Sequence, residues 1–135
     1  MPKVLIVEDS PFYRQLLKEA LHARFPSIDI LEAMDGEEAL RKIEVHLPDL
    51  IFMDIKLPGE SGLEVTKRIK AQYPDIIIII LTAYDIPEYR GAAFQYKANY
   101  FLSKGSTSKE DILKLVDSIL SDLPIDHRSS KTGNV

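Results

Sequence analysis

Short apolar runs alternate along the chain with longer stretches in which apolar residues recur every three or four positions. Apolar runs of four to eight residues between turn signals are typical of strands that are buried on both faces of a sheet. Such runs predict five strands, at residues 3–7, 28–33, 50–53, 76–81 and 99–102. The run at 76–81 is the most apolar of the five, which predicts a central position in the sheet.

The stretches that follow these strands have helical spacing and recognisable ends. Ser10 can cap a helix that begins at Pro11, since the missing N–H of a proline has no partner in the first helical turn. This first helix is expected to stop at Pro26. Four further helices are predicted, at residues 36–47, 61–73, 87–97 and 108–120. The fourth is expected to be the least stable, because it contains Gly91 and has little apolar periodicity.

The strand–helix unit is repeated five times without an internal domain break. Strands that alternate with helices predict an α/β fold, in which helices cover both faces of a doubly wound parallel sheet. With 135 residues, 45% of them hydrophobic, the chain is long enough for one domain with a full core. This domain is predicted to span residues 1–123. Residues 124–135 have little to bury and are interpreted as a tail or the start of a linker to an absent output domain.

Charge and composition argue against several functions for this segment. The formal net charge of −4 speaks against direct binding of nucleic acid. The absence of cysteine excludes disulfides and thiolate metal sites. The first apolar run is too short for a signal peptide, and the longest is far below the ~20 residues that span a bilayer. A cytoplasmic protein without membrane association is therefore expected.

Polar residues stand at the carboxyl ends of four of the five predicted strands. They are Glu8, Asp9, Asp54, Thr82 and Lys104. Ligands of open α/β sheets bind beyond the carboxyl ends of the strands, so these side chains are expected to converge at one edge. Taken singly, each also has an ordinary interpretation as a turn cap or a solvated charge. As a set they predict a chemical site.

Three clustered carboxylates require a counter-cation, because unit charges 4 Å apart interact by about 4 kcal/mol at an effective dielectric near 20. Oxygen ligands that include few carboxylates suit Mg²⁺ better than a closed Ca²⁺ cage. A carboxylate beside such an ion can act as the nucleophile towards a phosphoryl group and form an aspartyl phosphate. The ion and a lysine would then neutralise the charge that develops on the transferred oxygens.

At these positions the sequence resembles the receiver domain of two-component response regulators, over about residues 3–121. The motifs that carry the resemblance are Glu8-Asp9, Met53-Asp54, Leu-Pro-Gly-Glu-Ser-Gly at 57–62, Thr82-Ala83 and Phe-Leu-Ser-Lys at 101–104. The resemblance implies a flavodoxin-like sheet with the strand order 2-1-3-4-5. It also implies a phosphoacceptor signalling domain, which catalyses only its own phosphorylation and dephosphorylation.

The resemblance further implies roles for individual residues. Asp54 would accept a phosphoryl group from a histidine kinase or a phosphotransfer protein. Thr82 and Lys104 would bind the phosphoryl oxygens, and Phe101 would act as an aromatic switch beside Thr82. The implied Mg²⁺ ligands are Glu8, Asp9, Asp54 and the backbone carbonyl of Lys56.

The signal is expected to leave through the fourth helix, the fifth strand and the fifth helix. This surface is also predicted to serve a homodimer or another partner, because it is rich in aromatic residues. These are Tyr89, Phe94, Tyr96 and Tyr100.

Four further positions bear on the expected behaviour of the site. Lys56 and Tyr84 each lie two residues after a site residue, at positions that the family uses to set the rate of dephosphorylation. Their bulk predicts slow loss of the phosphoryl group. Lys97 stands where the family usually has Gly, which predicts either a positive φ or a different helix end. Gly105 follows the lysine where the family often has Pro.

Two other functions remain open on the sequence alone. A pseudo-receiver would keep the fold and act only as an interaction scaffold, but the complete set of acid, hydroxyl and amine groups argues against it. A small Mg²⁺-dependent phosphotransfer enzyme is the second alternative. The sequence has no GxxxxGK[ST] phosphate loop and no second domain to bind a large substrate, which disfavours that reading.

Overall fold

The computed structural model describes residues 1–124, in which five strands alternate with five helices. In chain order the elements are β1 (Lys3–Val7), α1 (Pro11–Arg24), β2 (Asp29–Ala33), α2 (Gly36–His46), β3 (Leu50–Met53), α3 (Gly62–Gln72), β4 (Ile77–Thr82), α4 (Pro87–Gln95), β5 (Tyr100–Ser103) and α5 (Lys109–Ser121). Each predicted element is present, with bounds that differ by one or two residues at most. Of the predicted tail at 124–135, all but Pro124 lies outside the described residues.

All five strands pair in parallel, in the order β2-β1-β3-β4-β5. This arrangement confirms the predicted fold class and strand order. β3 is the middle strand, and all four of its residues are buried. The most apolar strand, β4, lies between β3 and β5, one place away from the predicted centre. Because helices cover both faces of the sheet, an apolar run marks an interior strand without distinguishing the middle strand from its neighbour.

Successive residues of each strand point into two separate cores, one on each face of the sheet. In β3, Met53 belongs to one core and Phe52 to the other. The first core is covered by α2, α3 and α4, and the second by α1 and α5. Their buried helical residues include Ala39, Ile43, Ile69 and Ala93 in the first core and Leu21, Val116 and Ile119 in the second.

Four of the five helices begin at a residue whose side chain accepts a hydrogen bond from a backbone N–H in the first turn. These N-cap residues are Ser10, Asp35, Ser61 and Ser108. The remaining helix, α4, follows Ile86, whose side chain is apolar, and Ala93 is the one buried residue of this helix. Both observations agree with the expectation that α4 is the least stable helix. None of the helices within residues 1–124 is long and apolar enough to cross a membrane.

The end of α4 settles the question raised by Lys97. The helix ends at Gln95, two residues earlier than predicted, and Lys97 adopts a positive φ of 78°. The N–H of Ala98 then donates to the carbonyl oxygen of Ala93 at 2.9 Å, which closes the helix terminus. Of the two alternatives, the chain therefore takes the left-handed backbone, which is uncommon for a residue with a side chain.

Candidate functional site

The parallel register of the strands places the acidic residues side by side. Val7 of β1 lies opposite Met53 of β3, so the next residue of each strand, Glu8 and Asp54, leaves the sheet at the same edge. The N–H of Asp54 donates to the carbonyl oxygen of Val7 at 3.0 Å, which extends the pairing by one step. Local sequence thus fixes where each strand stops, and the register brings the two carboxylates together.

Three carboxylates form a compact cluster at this edge. One oxygen each from Glu8, Asp9 and Asp54 lies within 4.8 Å of the others. Glu8 and Asp54 are buried, with 4% and 7% of their surface exposed, whereas Asp9 is open to solvent. Burial raises the pKa of the Glu8 carboxyl, although hydrogen bonds from Lys104 and Ser10 oppose this effect. A set of three hard oxygen donors with one open side fits a small divalent cation such as Mg²⁺.

Lys104, the first residue after β5, contacts this cluster. Its ammonium group donates to Oε1 of Glu8 at 2.7 Å and to Oδ2 of Asp54 at 3.0 Å. Burial alone would lower the pKa of the ammonium, but the two carboxylates outweigh it and the pKa is raised. Lys104 is 96 positions from Glu8 and 50 positions from Asp54 in the sequence, yet the three side chains form one charged network.

Thr82 and Lys104 are linked through their backbones. Thr82 is the last residue of β4, and its carbonyl oxygen accepts a hydrogen bond from the N–H of Lys104 at 2.8 Å. The hydroxyl of Thr82 is fully buried and accepts from the N–H of Tyr84 at 3.3 Å. The residue therefore lies at the same edge as the carboxylates, as its position at a strand end predicts.

Phe101 packs into the core that α2, α3 and α4 cover, with 5% of its surface exposed. The guanidinium group of Arg90, on α4, lies 4.6 Å from the centre of its ring. Arg90 also forms an ion pair with Asp85 at 3.1 Å. The buried ring of Phe101 is thus covered by Arg90, an exposed residue of α4, the helix that is expected to be the least stable.

The side chain of Lys56 lies against the loop that follows β4. Its ammonium group stands 5.0 Å from the ring centre of Tyr84 and 5.7 Å from that of Tyr89. Contacts of this kind hold a cation over the face of an aromatic ring. The two bulky residues singled out in the sequence are therefore in contact with each other. The role of the Lys56 carbonyl as a metal ligand stays a prediction.

Two residues of this edge were not singled out as site residues in the sequence. Tyr13 covers the ammonium of Lys104, with 4.1 Å between that nitrogen and the ring centre. Arg14 donates to the carbonyl oxygen of Glu8 at 2.6 Å and to Oε1 of Glu32 at 3.0 Å. Both residues lie in the first turn of α1, directly after the acidic pair, and that position was the available signal.

Gly62, the first residue of α3, packs against the backbone of Asp54. A Cβ atom at this position would lie 1.8 Å from the carbonyl oxygen of Asp54, so that any side chain would force the backbone to shift. The N–H of Gly62 also donates to the carbonyl oxygen of Ile55 at 2.9 Å. The first turn of α3 therefore packs directly on the backbone that carries Asp54.

Comparison with known proteins identifies the class to which this arrangement belongs. The sequence model of the response regulator receiver domain matches residues 4–117. The chain therefore belongs to the response regulator receiver domain family, and its class is that of signalling domains in two-component systems.

Individual relatives agree with this assignment. A receiver domain protein from Methanospirillum hungatei JF-1 superimposes with a TM-score of 0.83 at 25% identity, covering 90% of this chain and 95% of that one. A response regulator solved in its Mn²⁺-bound form gives 0.74 at 27% identity and covers 90% and 94% of the two chains. A protein-glutamate methylesterase/protein-glutamine glutaminase from Syntrophus aciditrophicus is 48% identical over 85 residues, which are 62% of this chain and 24% of that protein.

The similarity to the methylesterase is confined to a part of that protein. The chain spans between about a quarter and about half of the length of the first curated relatives that it matches. The shared part corresponds to the receiver domain. The similarity therefore says nothing about methylesterase activity in this chain.

Proposed function

We propose that this domain takes up a phosphoryl group on Asp54 in the presence of Mg²⁺ and so acts as a phosphoacceptor switch. The observation that carries the proposal is the position of the Lys104 ammonium, which bonds to Glu8 and Asp54 beside the third carboxylate of Asp9. A lysine held against an acidic cluster supplies the positive charge that a transferred phosphoryl group needs. Residues 1–123 would form this module.

The chemistry begins at the carboxylate of Asp54. One of its oxygens would attack the phosphorus of a phosphohistidine donor on the side opposite to the leaving nitrogen. As the new O–P bond forms, the P–N bond breaks, and the imidazole leaves with the electron pair and takes up a proton from solvent. Oδ1 of Asp54 already accepts from the N–H of Ile55 at 2.7 Å, which fixes the plane of the carboxylate.

Lys104 would assist the transfer by binding an oxygen of the phosphoryl group. Its ammonium group lies 3.0 Å from Oδ2 of Asp54, within reach of an oxygen of a phosphoryl group carried there. The hydroxyl of Thr82 would turn from the N–H of Tyr84 towards another phosphoryl oxygen. Both groups would bind phosphoryl oxygens, on which negative charge develops during the transfer. They would therefore favour the transition state.

The carboxylates of Glu8, Asp9 and Asp54 would hold the metal ion, with the backbone carbonyl of Lys56 as the further ligand that the family suggests. Such an ion neutralises negative charge on the transferred oxygens. Support comes from the donor set itself, which consists of hard oxygen atoms, and from the similar response regulator that was solved with Mn²⁺. Mn²⁺ and Mg²⁺ both prefer such oxygen ligands.

The output would follow from a change around Phe101. Receiver domains interact with histidine kinases or phosphotransfer proteins, and we propose such a protein as the phosphodonor, in the cytoplasm. Movement of the Thr82 hydroxyl would alter the packing of Phe101 under Arg90 and so shift a two-state equilibrium of α4 and β5. The face of α4, β5 and α5 would then bind a partner or a second copy, with exposed Phe94 and Tyr100 as contacts.

The proposal is tested by incubating the protein with phosphoramidate and Mg²⁺ and measuring its intact mass. We expect one added phosphoryl group, which is absent with EDTA and absent in Asp54→Asn. Asp29→Asn serves as the matched control, because Asp29 is an exposed carboxylate at the start of β2. No added mass in the wild-type protein would support the scaffold reading instead. Modification that persists in Asp54→Asn would contradict the assignment of the acceptor.

A further inference from the structure

The ammonium group of Lys104 is enclosed on more than its carboxylate side. Two of its three N–H bonds are directed at Glu8 and Asp54. The face of the Tyr13 ring lies 4.1 Å from the same nitrogen, well inside the ~6 Å limit for a cation–π contact. With 18% of its side chain exposed, Lys104 is mostly withdrawn from solvent. The aromatic ring therefore occupies a side of the ammonium that water would otherwise solvate.

A closed circuit of contacts fixes the Tyr13 ring in this place. The N–H of Tyr13 donates to the hydroxyl of Ser10 at 3.2 Å, which caps α1. The N–H of Ser10 donates in turn to Oε2 of Glu8 at 3.0 Å. Oε1 of Glu8 accepts from Lys104, and Lys104 lies on the Tyr13 ring. These contacts form a closed cycle. It joins the acidic loop to the start of α1 and to Lys104, which follows β5.

We infer that Tyr13 is a positioning residue for phosphoryl transfer, which holds the Lys104 ammonium at Asp54 by covering its third side with an aromatic face. The inference rests on the proposed function. A lysine side chain has four rotatable bonds and is strongly hydrated, so without the ring it spends more of its time turned towards solvent. A metal ion on the carboxylates would also compete with Lys104 for their oxygens. The ring keeps the ammonium at the site under that competition, because an aromatic face is not a ligand for Mg²⁺.

The test compares three variants in the full chain. Tyr13→Leu keeps apolar bulk but removes the aromatic face, and Tyr13→Phe is the conservative variant that retains it. Phe12→Leu is the matched control, because Phe12 is the neighbouring aromatic residue and is 74% exposed. For each variant the initial rate of phosphorylation by phosphoramidate and the Mg²⁺ affinity are measured, together with the melting temperature.

We expect Tyr13→Leu to lower the initial rate about fivefold to thirtyfold, the range that corresponds to loss of a partly desolvated cation–π contact. The Mg²⁺ affinity should not fall, because neither Tyr13 nor Lys104 is a metal ligand and a loosened Lys104 competes less with the ion for the carboxylate oxygens. Tyr13→Phe and Phe12→Leu should keep the wild-type rate. In NMR spectra the ε-methylene protons of Lys104 should be shifted upfield by the ring in the wild type and in Tyr13→Phe, and should lose that shift in Tyr13→Leu.

Three results would overturn the inference. An unchanged rate in Tyr13→Leu would show that the ring does not position the lysine. An equal loss of rate in Tyr13→Phe would assign the effect to the hydroxyl group. A wild-type protein that takes up no phosphoryl group would overturn the proposed function and this inference together, and that result is distinguished from the others by the wild-type measurement alone.

Discussion

The contact between α3 and the backbone of Asp54 makes Gly62→Ala the most informative single substitution for stability. A Cβ atom at position 62 would lie 1.8 Å from the carbonyl oxygen of Asp54, 2.8 Å from its carbonyl carbon and 3.1 Å from Cα of Ile55. All three neighbours are backbone atoms, which cannot move aside as the end of a flexible side chain could. The first turn of α3 must therefore shift away from the end of β3.

The size of the effect follows from two opposing terms. Alanine in place of glycine within a helix favours folding by up to about 1 kcal/mol, because it restricts the unfolded chain. Overpacking in a tight interior typically costs about 1–3 kcal/mol, and more where backbone has to move. The shift would also lengthen the 2.9 Å hydrogen bond from the N–H of Gly62 to Ile55. We therefore expect Gly62→Ala to lower the free energy of unfolding by about 2 kcal/mol or more.

Gly91→Ala is the matched control for this substitution. Gly91 lies in the interior of α4, and a Cβ atom there would have no described atom within 4 Å. The same chemical change should therefore stabilise the protein by about 0.5–1 kcal/mol. Urea unfolding followed by circular dichroism measures both values, and the slope of the transition shows whether the unfolded state has changed.

The reasoning about Gly62 would be refuted if Gly62→Ala were as stable as the wild type or more stable. A destabilisation of similar size in Gly91→Ala would refute it as well, because the effect would then not come from the close approach to Asp54. Phosphorylation of Asp54 should also be slower in Gly62→Ala. The first turn of α3 packs on the backbone of Asp54, so its displacement would disturb the position of the acceptor carboxylate.

Three further predictions concern the site and the stability of the domain. The double variant Lys56→Ala and Tyr84→Ala should lose its phosphoryl group about fivefold faster, if their contact shields the site by about 1 kcal/mol; an unchanged decay of the phosphorylated mass would contradict this. Hydrogen bonds from Lys18 and Arg14 hold the pKa of the Glu32 carboxyl below its usual 4.5, so Glu32 contributes stability above pH 4.5 that is lost as the pH falls through the lowered pKa. Glu32→Gln should thus cost at most about 1 kcal/mol near neutral pH and nothing in acid, and a pH-independent difference in urea unfolding would oppose this account. The hydroxyl of Thr66 is buried and bonds to no residue that the structure describes, so Thr66→Val should raise the free energy of unfolding by about 1 kcal/mol, and a lower melting temperature would contradict this expectation.

The fold could be predicted from sequence because its signals are local. Each strand is a short apolar run, and each of the four capped helices begins at a serine or an aspartate. The bounds of β4 and β5 shift by one residue because pairing extends to Thr82 and Ser103, and cross-strand pairing is not visible in either strand alone. Lys97 illustrates the same limit, since the sequence allowed two ways to end α4 and the closing hydrogen bond to Ala93 decides between them.

The polar residues of the site could also be anticipated, because the ends of parallel strands share an edge. Asp54 and Lys104 meet there through strand register alone. The position of Tyr13 in the first turn of α1 indicated this edge of the sheet, but its contact with Lys104 could not be anticipated, because the contact depends on the angle at which α1 leaves β1. The approach of Gly62 to Asp54 depends in the same way on the path of the loop between β3 and α3. Residues that support a site from a neighbouring element leave no periodic signal in the sequence.

The central claim is that Glu8, Asp9, Asp54 and Lys104 form a single phosphoacceptor site around one Mg²⁺ ion. A crystal structure of the protein grown with Mg²⁺ and beryllium fluoride, which mimics a phosphoryl group on a carboxylate, tests this claim most directly. The account predicts one Mg²⁺ ion on the three carboxylates and a beryllium fluoride group on Asp54, with Lys104 bonded to one of its fluorine atoms. A bare Asp54 carboxylate, or an ion bound away from Glu8 and Asp9, would contradict it.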